Sequence, residues 1–191
     1  MAKQTIFILG GVRSGKSHFA QELALKLGQE VLFVATAEPR DEDMRARIEK
    51  HKKNRPRNWR TLELPTGIGK RLAAEIGDAE VVVLDCLTLL VSNLIGEETN
   101  YLTAERPVLA EIKELIAGID ALDVIFIIVS NEVGMGLVPG NRLARIYRDI
   151  LGNANQSVAR YANVVYFMIA GIPVEVKGDQ SLPEAENNDK Y

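Results

Sequence analysis

A glycine-rich segment near the start of the chain constrains its fold more than any other feature. The segment reads Gly10-Gly11-Val12-Arg13-Ser14-Gly15-Lys16-Ser17 and fits the pattern G-x-x-x-x-G-K-[ST]. In this pattern the glycines let backbone amides close on phosphate oxygens, the lysine adds a positive charge, and the serine hydroxyl can ligate Mg²⁺. An apolar run at 5–9 precedes the segment and a helical pattern at 17–27 follows it. The strand-loop-helix order predicts a nucleoside triphosphate site.

Short apolar runs alternate with helical patterns along the rest of the chain. The runs predict buried strands at 5–9, 31–35, 81–85, 124–129 and 164–169, and the helical patterns lie at 17–27, 40–53, 66–76, 104–118 and 141–161. The runs are continuously apolar, as expected for a sheet covered on both faces. This order predicts an α/β doubly wound, mostly parallel sheet that binds ligands at the carboxyl ends of its strands.

Length and composition limit the class of protein. The chain of 191 residues suits one domain, which we place at 1–177, with a flexible tail at 178–191 because the tail lacks apolar periodicity. No apolar run is long enough to span a bilayer, and the N-terminus leads directly into a strand, so we expect a cytoplasmic protein. The single cysteine, Cys86, excludes an internal disulfide and predicts a small buried apolar residue.

Charge is distributed unevenly. The net charge of −3 argues against general nucleic-acid binding, but residues 45–60 hold eight lysines or arginines and one acid. This basic segment could hold a polyphosphate or a nucleic acid, or form a solvated helix face. It contains His51, which helical spacing puts on one face with Arg47 and Arg55. A neutral imidazole can attack phosphorus, but a lone histidine among lysines is more often a surface residue.

Other residues are candidates for single roles. Asp85 ends the strand at 81–85, where its carboxylate could hold Mg²⁺ opposite Ser17, or only cap a turn. Arg13 could bind phosphate bidentately. Trp59 could stack on a ring or pack in the core, and Glu63 could accept hydrogen bonds from a base or ribose.

Several motifs occur together in the order of one known family. They include the 10–17 segment, Ala35-Thr36-Ala37, Arg47-Ile48 with His51, Arg55-Pro56 with Trp59, Asp85-Cys86-Leu87-Thr88, Asn131-Glu132-Val133-Gly134-Met135-Gly136 and Gly152-Asn153-Ala154-Asn155-Gln156. Together they resemble the bifunctional adenosylcobinamide kinase/adenosylcobinamide-phosphate guanylyltransferase family, over about residues 5–175. The resemblance implies a RecA-like core and a homotrimer.

The resemblance also implies two reactions and a set of site residues. In the first reaction, ATP or GTP phosphorylates adenosylcobinamide. In the second, GTP donates GMP to that phosphate through a guanylylated histidine. The resemblance implies that His51 is this histidine and that Lys16 is the second catalytic residue. Mg²⁺ would lie on Ser17 and Asp85. The implied nucleotide contacts are Gly10 to Ser17, Ala35, Thr36, Ala37, Lys52, Lys53, Asn54, Arg55, Glu63 and Asp85.

Two other functions remain compatible with the residues alone. One is a kinase for another small hydroxyl substrate that performs no nucleotidyl transfer. The other is a nucleotide-switched protein that binds RNA or a partner through residues 45–60, in which case its RNA affinity would depend strongly on salt.

Overall fold

The computed structural model describes residues 3–53 and 55–178 and contains one seven-stranded sheet with helices on both faces. The strands are β1 (Gln4–Gly10), β2 (Val31–Ala35), β3 (Arg60–Glu63), β4 (Val81–Asp85), β5 (Ile125–Asn131), β6 (Val164–Ile169) and β7 (Ile172–Lys177). The helices of this described part are α1 (Lys16–Leu27), α2 (Glu42–Lys53), α3 (Ile68–Glu75), α4 (Leu87–Ile95), α5 (Tyr101–Asp120) and α6 (Arg142–Tyr161).

The strand order is β3-β2-β4-β5-β1-β6-β7, and every neighbouring pair is parallel except β6 and β7. The expected doubly wound, mostly parallel α/β fold is therefore confirmed. All five expected strands are present. The structure adds β3, β7 and α4, which the sequence patterns did not predict.

Each face of the sheet has its own core. Alternate residues of the central strands, such as Phe7 and Phe126, pack with α3, α4, α5 and α6 on one face. The residues between them, such as Ile6 and Ile127, pack with α1 on the opposite face. Because both faces are covered, the strands are apolar at every position instead of at every second one.

The parallel register gathers the carboxyl ends of six strands at one edge of the sheet. Glu63 of β3 pairs with Ala35 of β2, and Ala35 pairs with Asp85 of β4. Farther along, Gly10 at the end of β1 pairs with Asn131 at the end of β5. Residues separated by more than a hundred positions in the chain thus meet at the edge where such sheets bind ligands.

Helices α3 and α5 cross at unusually close range. A Cβ at Gly69 would overlap the backbone carbonyl of Glu114, and a Cβ at Gly118 would lie 2.7 Å from the Gly69 oxygen. Next to this crossing, the buried Glu111 carboxylate of α5 accepts hydrogen bonds from Gly67 N (3.0 Å) and Ile68 N (2.8 Å) at the start of α3. Two glycines and one distant carboxylate therefore fix α3 against α5.

Within the described residues, no helix combines the length and apolar character that crossing a bilayer requires. The tail expected from residue 178 lies outside the described residues, apart from Gly178 itself.

Candidate nucleotide-binding and catalytic site

At two positions, the loop between β1 and α1 adopts a backbone conformation that only glycine accommodates. Gly10 has φ 157°, and a Cβ there would lie 2.7 Å from Ser14 Oγ and 2.8 Å from the Met168 carbonyl oxygen. Gly15, at the start of α1, has φ 95° in the left-handed region. The turn between β6 and β7 supports the loop from the side, since Gly171 N donates to Ser14 O at 3.0 Å.

The polar groups of this loop are directed inward. Lys16 is buried, and its Nζ donates to the Gly11 carbonyl oxygen at 2.7 Å. Burial lowers the pKa of Lys16, and the nearby Asp85 carboxylate opposes this shift. Ser14 Oγ is buried and has no hydrogen-bond partner among the described residues. A phosphate oxygen above the loop would satisfy such a hydroxyl.

A cavity of about 410 Å³ opens between this loop, the ends of β2 and β4, and one side of α2. It brings together most of the site residues expected from the sequence: Val12, Arg13, Ser14, Gly15, Lys16, Ser17, Ala35, Ala37, His51, Lys52, Arg55, Glu63 and Asp85. The remaining expected site residues do not line the cavity: these are Gly10, Gly11, Thr36 and Lys53. Asn54 lies outside the described residues.

Asp85 lies at the centre of the charged groups. Burial raises the pKa of its carboxyl group, while His51, the Ser17 hydroxyl, Lys16 and Arg55 oppose the rise. His51 Nδ1 is 4.0 Å from Asp85 Oδ2. The imidazole therefore lies beside the carboxylate at the wall of the cavity, although its side chain remains 43% exposed.

Helix α2 has no buried residues, yet it covers one side of the cavity. Its lining residues are Met44, Arg47, Ile48, His51 and Lys52, which occupy one helical face. Opposite charges hold its C-terminal end near the sheet, because Lys52 Nζ lies 2.7 Å from Glu63 Oε1. Part of the basic segment thus faces the cavity, and Arg45 and Lys50 are exposed.

An aromatic pair supports Arg55. The guanidinium carbon lies 3.6 Å from the centroid of the Phe33 ring, and Nη1 donates to Thr61 Oγ1 at 2.9 Å. Phe33 stacks in turn on the buried Trp59, with ring centroids 6.3 Å apart. Burial lowers the pKa of Arg55, and Asp85 and Glu63 oppose this effect. Trp59 therefore packs in the core beneath the site, which decides between its two interpretations.

A family model described as "Cobinamide kinase / cobinamide phosphate guanyltransferase" matches residues 6–176, most of the chain. The chain belongs to this family. Three relatives agree: the bifunctional adenosylcobalamin biosynthesis proteins CobU of Escherichia coli (strain K12) and of Salmonella typhimurium (strain LT2), 42% and 39% identical over 180 residues, and CobP of Pseudomonas aeruginosa (strain PAO1), 39% identical over 173 residues. Each alignment covers 90% of this chain and 96–99% of the relative.

Membership of the cobinamide kinase / cobinamide phosphate guanyltransferase family confirms the resemblance seen in the sequence. The two transfer activities expected for this chain are those that the family's description names. The individual residue roles remain predictions, and the geometry gives each of them a physical setting.

Two residues hold the backbone next to Asp85. Cys86 lines the cavity, and Thr36 does not. The fully buried Thr36 hydroxyl donates to Cys86 O and accepts from Cys86 N, both at 2.8 Å. These two bonds fix the backbone immediately after Asp85. Burial raises the pKa of the Cys86 thiol to about 12, so the thiol is neutral at neutral pH, consistent with the buried apolar residue expected.

The sequence reasoning omitted several lining residues from its site: Phe33, Met44, Arg47, Ile48, Leu89 and Asn131. A signal was present for some of them. Met44, Arg47 and Ile48 share the helical face of His51, and Asn131 follows a predicted strand at the binding edge. No local pattern marks Phe33, because in a doubly covered sheet an apolar residue in the middle of a strand resembles any core residue.

Proposed function

We propose that this chain phosphorylates the hydroxyl group of adenosylcobinamide with ATP or GTP and then transfers GMP from GTP to the new phosphate, giving adenosylcobinamide-GDP and pyrophosphate. One observation carries the proposal beyond family membership. A single cavity holds both a phosphate-binding loop with Lys16 and an imidazole, His51, on the face of α2 that lines the cavity. A simple kinase needs the loop but has no use for such a nucleophile.

Phosphoryl transfer requires mainly positioning and charge neutralisation. The loop amides and Lys16 would hold the β- and γ-phosphates, and Arg13 and Arg55, which also line the cavity, would add positive charge. The donor set fits Mg²⁺, which prefers oxygen ligands, because the Ser17 hydroxyl and the Asp85 carboxylate face each other. No group of three or more His, Cys, Asp or Glu side chains among the described residues is arranged to hold a metal ion, so phosphate oxygens and water would supply the other ligands.

Guanylyl transfer would proceed through two displacements at the α-phosphorus. A nitrogen of His51 attacks the α-phosphate of GTP, a P–N bond forms, and the bond to the bridging oxygen breaks as pyrophosphate leaves. A phosphate oxygen of the corrinoid then attacks the same phosphorus, and the imidazole leaves and is available for another cycle. The Lys52–Glu63 pair and Arg55 line the side of the cavity where the guanosine would lie.

Intact-mass analysis after incubation with GTP and Mg²⁺ tests this assignment. We expect the wild-type protein to gain the mass of one GMP, mapped to His51 by peptide analysis. His51→Ala should give no adduct and should retain phosphorylation of adenosylcobinamide. His18→Ala removes the chain's other histidine, which also lines the cavity but is largely exposed beside Glu22, and should leave the adduct intact. An adduct that survives in His51→Ala would refute the nucleophile, and a wild type that never gains GMP would leave a kinase alone.

We also propose that the partners are the corrinoid, nucleotides and further copies of the chain in a cytoplasmic homotrimer, without nucleic acid. Support for self-association comes from the sheet edge, where Ile172, Val174 and Val176 of β7 share one face and are 59%, 42% and 62% exposed. Light scattering should give three times the mass of 21.1 kDa. A Val174→Lys variant should shift the protein toward monomer, and a wild-type monomer would refute the proposal.

A further inference from the structure

Three motifs that the sequence singled out without a role meet at the carboxyl end of β5. They contribute Thr88 from α4, Asn131 from β5 and Asn155 from α6, and Ser130, the residue before Asn131, lies among them. The Thr88, Ser130 and Asn155 side chains are 6%, 0% and 5% exposed, respectively. Buried polar groups are costly unless hydrogen bonds satisfy them, so such a cluster needs a complete set of partners.

The partners form a closed ring of hydrogen bonds. Asn131 N donates to Thr88 Oγ1 at 2.7 Å, and Thr88 Oγ1 lies 3.3 Å from Ser130 Oγ. Ser130 Oγ donates to Asn155 Oδ1 at 2.7 Å, and Asn155 Nδ2 donates back to Asn131 O at 3.1 Å. Because the Ser130 proton goes to Asn155, Thr88 must donate to Ser130, which fixes the direction of every bond. Both backbone polar groups of Asn131 are therefore held by buried side chains.

Asn131 is the one member of this cluster that lines the cavity. The Ser130 side chain contacts α4 and α6, so the side chain of the next strand residue, Asn131, points to the opposite face of the sheet, where the phosphate loop leads into α1. Its amide makes no hydrogen bond to another described residue. Asn131 pairs with Gly10, the first residue of the phosphate loop, and Glu132 N donates to Gly10 O at 3.0 Å. On the other side of β5 lies β4, which ends at Asp85. The free amide thus lies between the loop and the carboxylate, where the γ-phosphate would lie in the kinase reaction.

We propose that the Asn131 side-chain amide donates a hydrogen bond to the γ-phosphoryl group during its transfer, and that Thr88, Ser130 and Asn155 are positioning residues that act through it. This inference rests on the proposed function and adds a catalytic residue to its first reaction. A preorganised donor directed at the transferred group stabilises charge that develops in the transition state. In guanylyl transfer the γ-phosphate belongs to the leaving pyrophosphate, so the same bond contributes less to that barrier.

The first test separates the two reactions in Asn131→Ala. We expect kcat for adenosylcobinamide phosphorylation to fall about 100-fold, which is the usual cost of removing one such donor. The KM for nucleotide should stay within about threefold, because the interaction is made mainly in the transition state. Formation of the His51 adduct at saturating GTP should also stay within about threefold. Unchanged kinase kcat, or equal losses in both reactions, would overturn the role of Asn131.

The second test concerns the positioning residues. Thr88→Val removes the hydroxyl at nearly constant shape and should lower kinase kcat about tenfold with little change in KM, whereas Thr88→Ser should restore it. Asn155→Ala should behave like Thr88→Val, and Asn153→Ala, two residues away on the same helix but exposed, is the matched control. Thermal unfolding of each variant reports its folding separately from kcat.

A double variant distinguishes positioning from a general structural effect. If Asn155 acts through Asn131, Asn131→Ala/Asn155→Ala should be no slower than Asn131→Ala alone. Additive losses would overturn the positioning role and leave Asn155 a structural residue. Failure of the proposed function is a different result: the wild type itself would then lack adenosylcobinamide phosphorylation or the GMP adduct. If Asn155→Ala does not fold, the Thr88→Val and Thr88→Ser pair still decides the question.

Discussion

The aromatic ring beneath Arg55 provides a measurable contribution to nucleotide affinity. Phe33→Leu removes the ring that lies 3.6 Å from the guanidinium but leaves the Thr61 hydrogen bond. A cation–π contact is worth about 0.5–2 kcal/mol, the upper end applying where the cation is desolvated. Since each 1.4 kcal/mol is a factor of about ten, the dissociation constant for GTP should rise about 2- to 30-fold.

Titration calorimetry in a His51→Ala background measures this effect, because GTP cannot then form the covalent adduct. Phe126→Leu is the matched control: Phe126 is equally buried, but it packs on the opposite face of the sheet from the site. Both substitutions should lower the free energy of unfolding to a similar extent, since both remove the same buried volume. If the two variants bind GTP equally well, the Phe33 ring does not position Arg55.

Two further substitutions test the loop and the helix packing. Lys16→Ala should lower kcat for both transfers by about 100-fold or more at saturating nucleotide. Lys26 is exposed on the same helix, and Lys26→Ala should leave kcat unchanged. Normal kinetics in Lys16→Ala would count against a shared phosphate site. Gly69→Ala should destabilise by about 1–3 kcal/mol through the clash with α5, which lowers Tm by roughly 2–12 °C in a domain of this size. Gly152→Ala, where a Cβ meets nothing within 4 Å, should instead stabilise by about 0.5–1 kcal/mol; a Tm change of the same sign in both would contradict the packing argument.

The parts of the fold that could be predicted are those with local signals. The phosphate loop carries its own glycine and lysine pattern, and the five central strands are apolar runs bounded by polar residues. The start of α5 was missed by three residues because its helical pattern begins at Ala104, although Asn100 caps the helix through Leu102 N and Thr103 N. The missed strand β3 has four residues and belongs to the edge of the sheet, so no apolar run marks it.

Two other elements were missed for different reasons. Helix α4 is mostly apolar because the sheet, α5 and α6 cover it, and a segment of nine residues with only three polar side chains shows no clear helical period. In β7 the apolar residues alternate as in a strand, but they face solvent in the described chain. Its position next to β6 follows from a two-residue turn at Ala170 and Gly171, both with positive φ, which the sequence Ala-Gly signals only weakly.

The site could be predicted where one residue type carries the chemistry, as in Lys16, Asp85 and His51. The supporting contacts could not. Thr88 and Asn155 are 67 positions apart, and only the strand order brings them to the same side of Asn131. The stack of Arg55 on Phe33 likewise joins the segment after α2 to the middle of β2, a contact that no local pattern signals. Motif recognition identifies the residues that act, and the tertiary fold determines which residues hold them.

Asp85 should make the metal-free protein less stable as pH rises, and this follows from the direction of its pKa shift. Burial raises the pKa of this carboxyl group above its ordinary value of 3.8 in spite of the surrounding cations. The folded state then binds the proton more tightly than the unfolded state, so its stabilising effect is fully present below pH 3.8 and is lost as pH rises through the folded-state pKa. Asn is a neutral mimic of the protonated group. We therefore compare the Tm of Asp85→Asn with that of the wild type in buffer with EDTA. The variant's Tm minus the wild-type Tm should increase from pH 4 to pH 7, and the variant should lack kinase activity. A difference that stays constant or shrinks over this range would mean that the cations outweigh burial, and that this carboxylate is stabilised in the free protein instead of being held at a cost for its ligand.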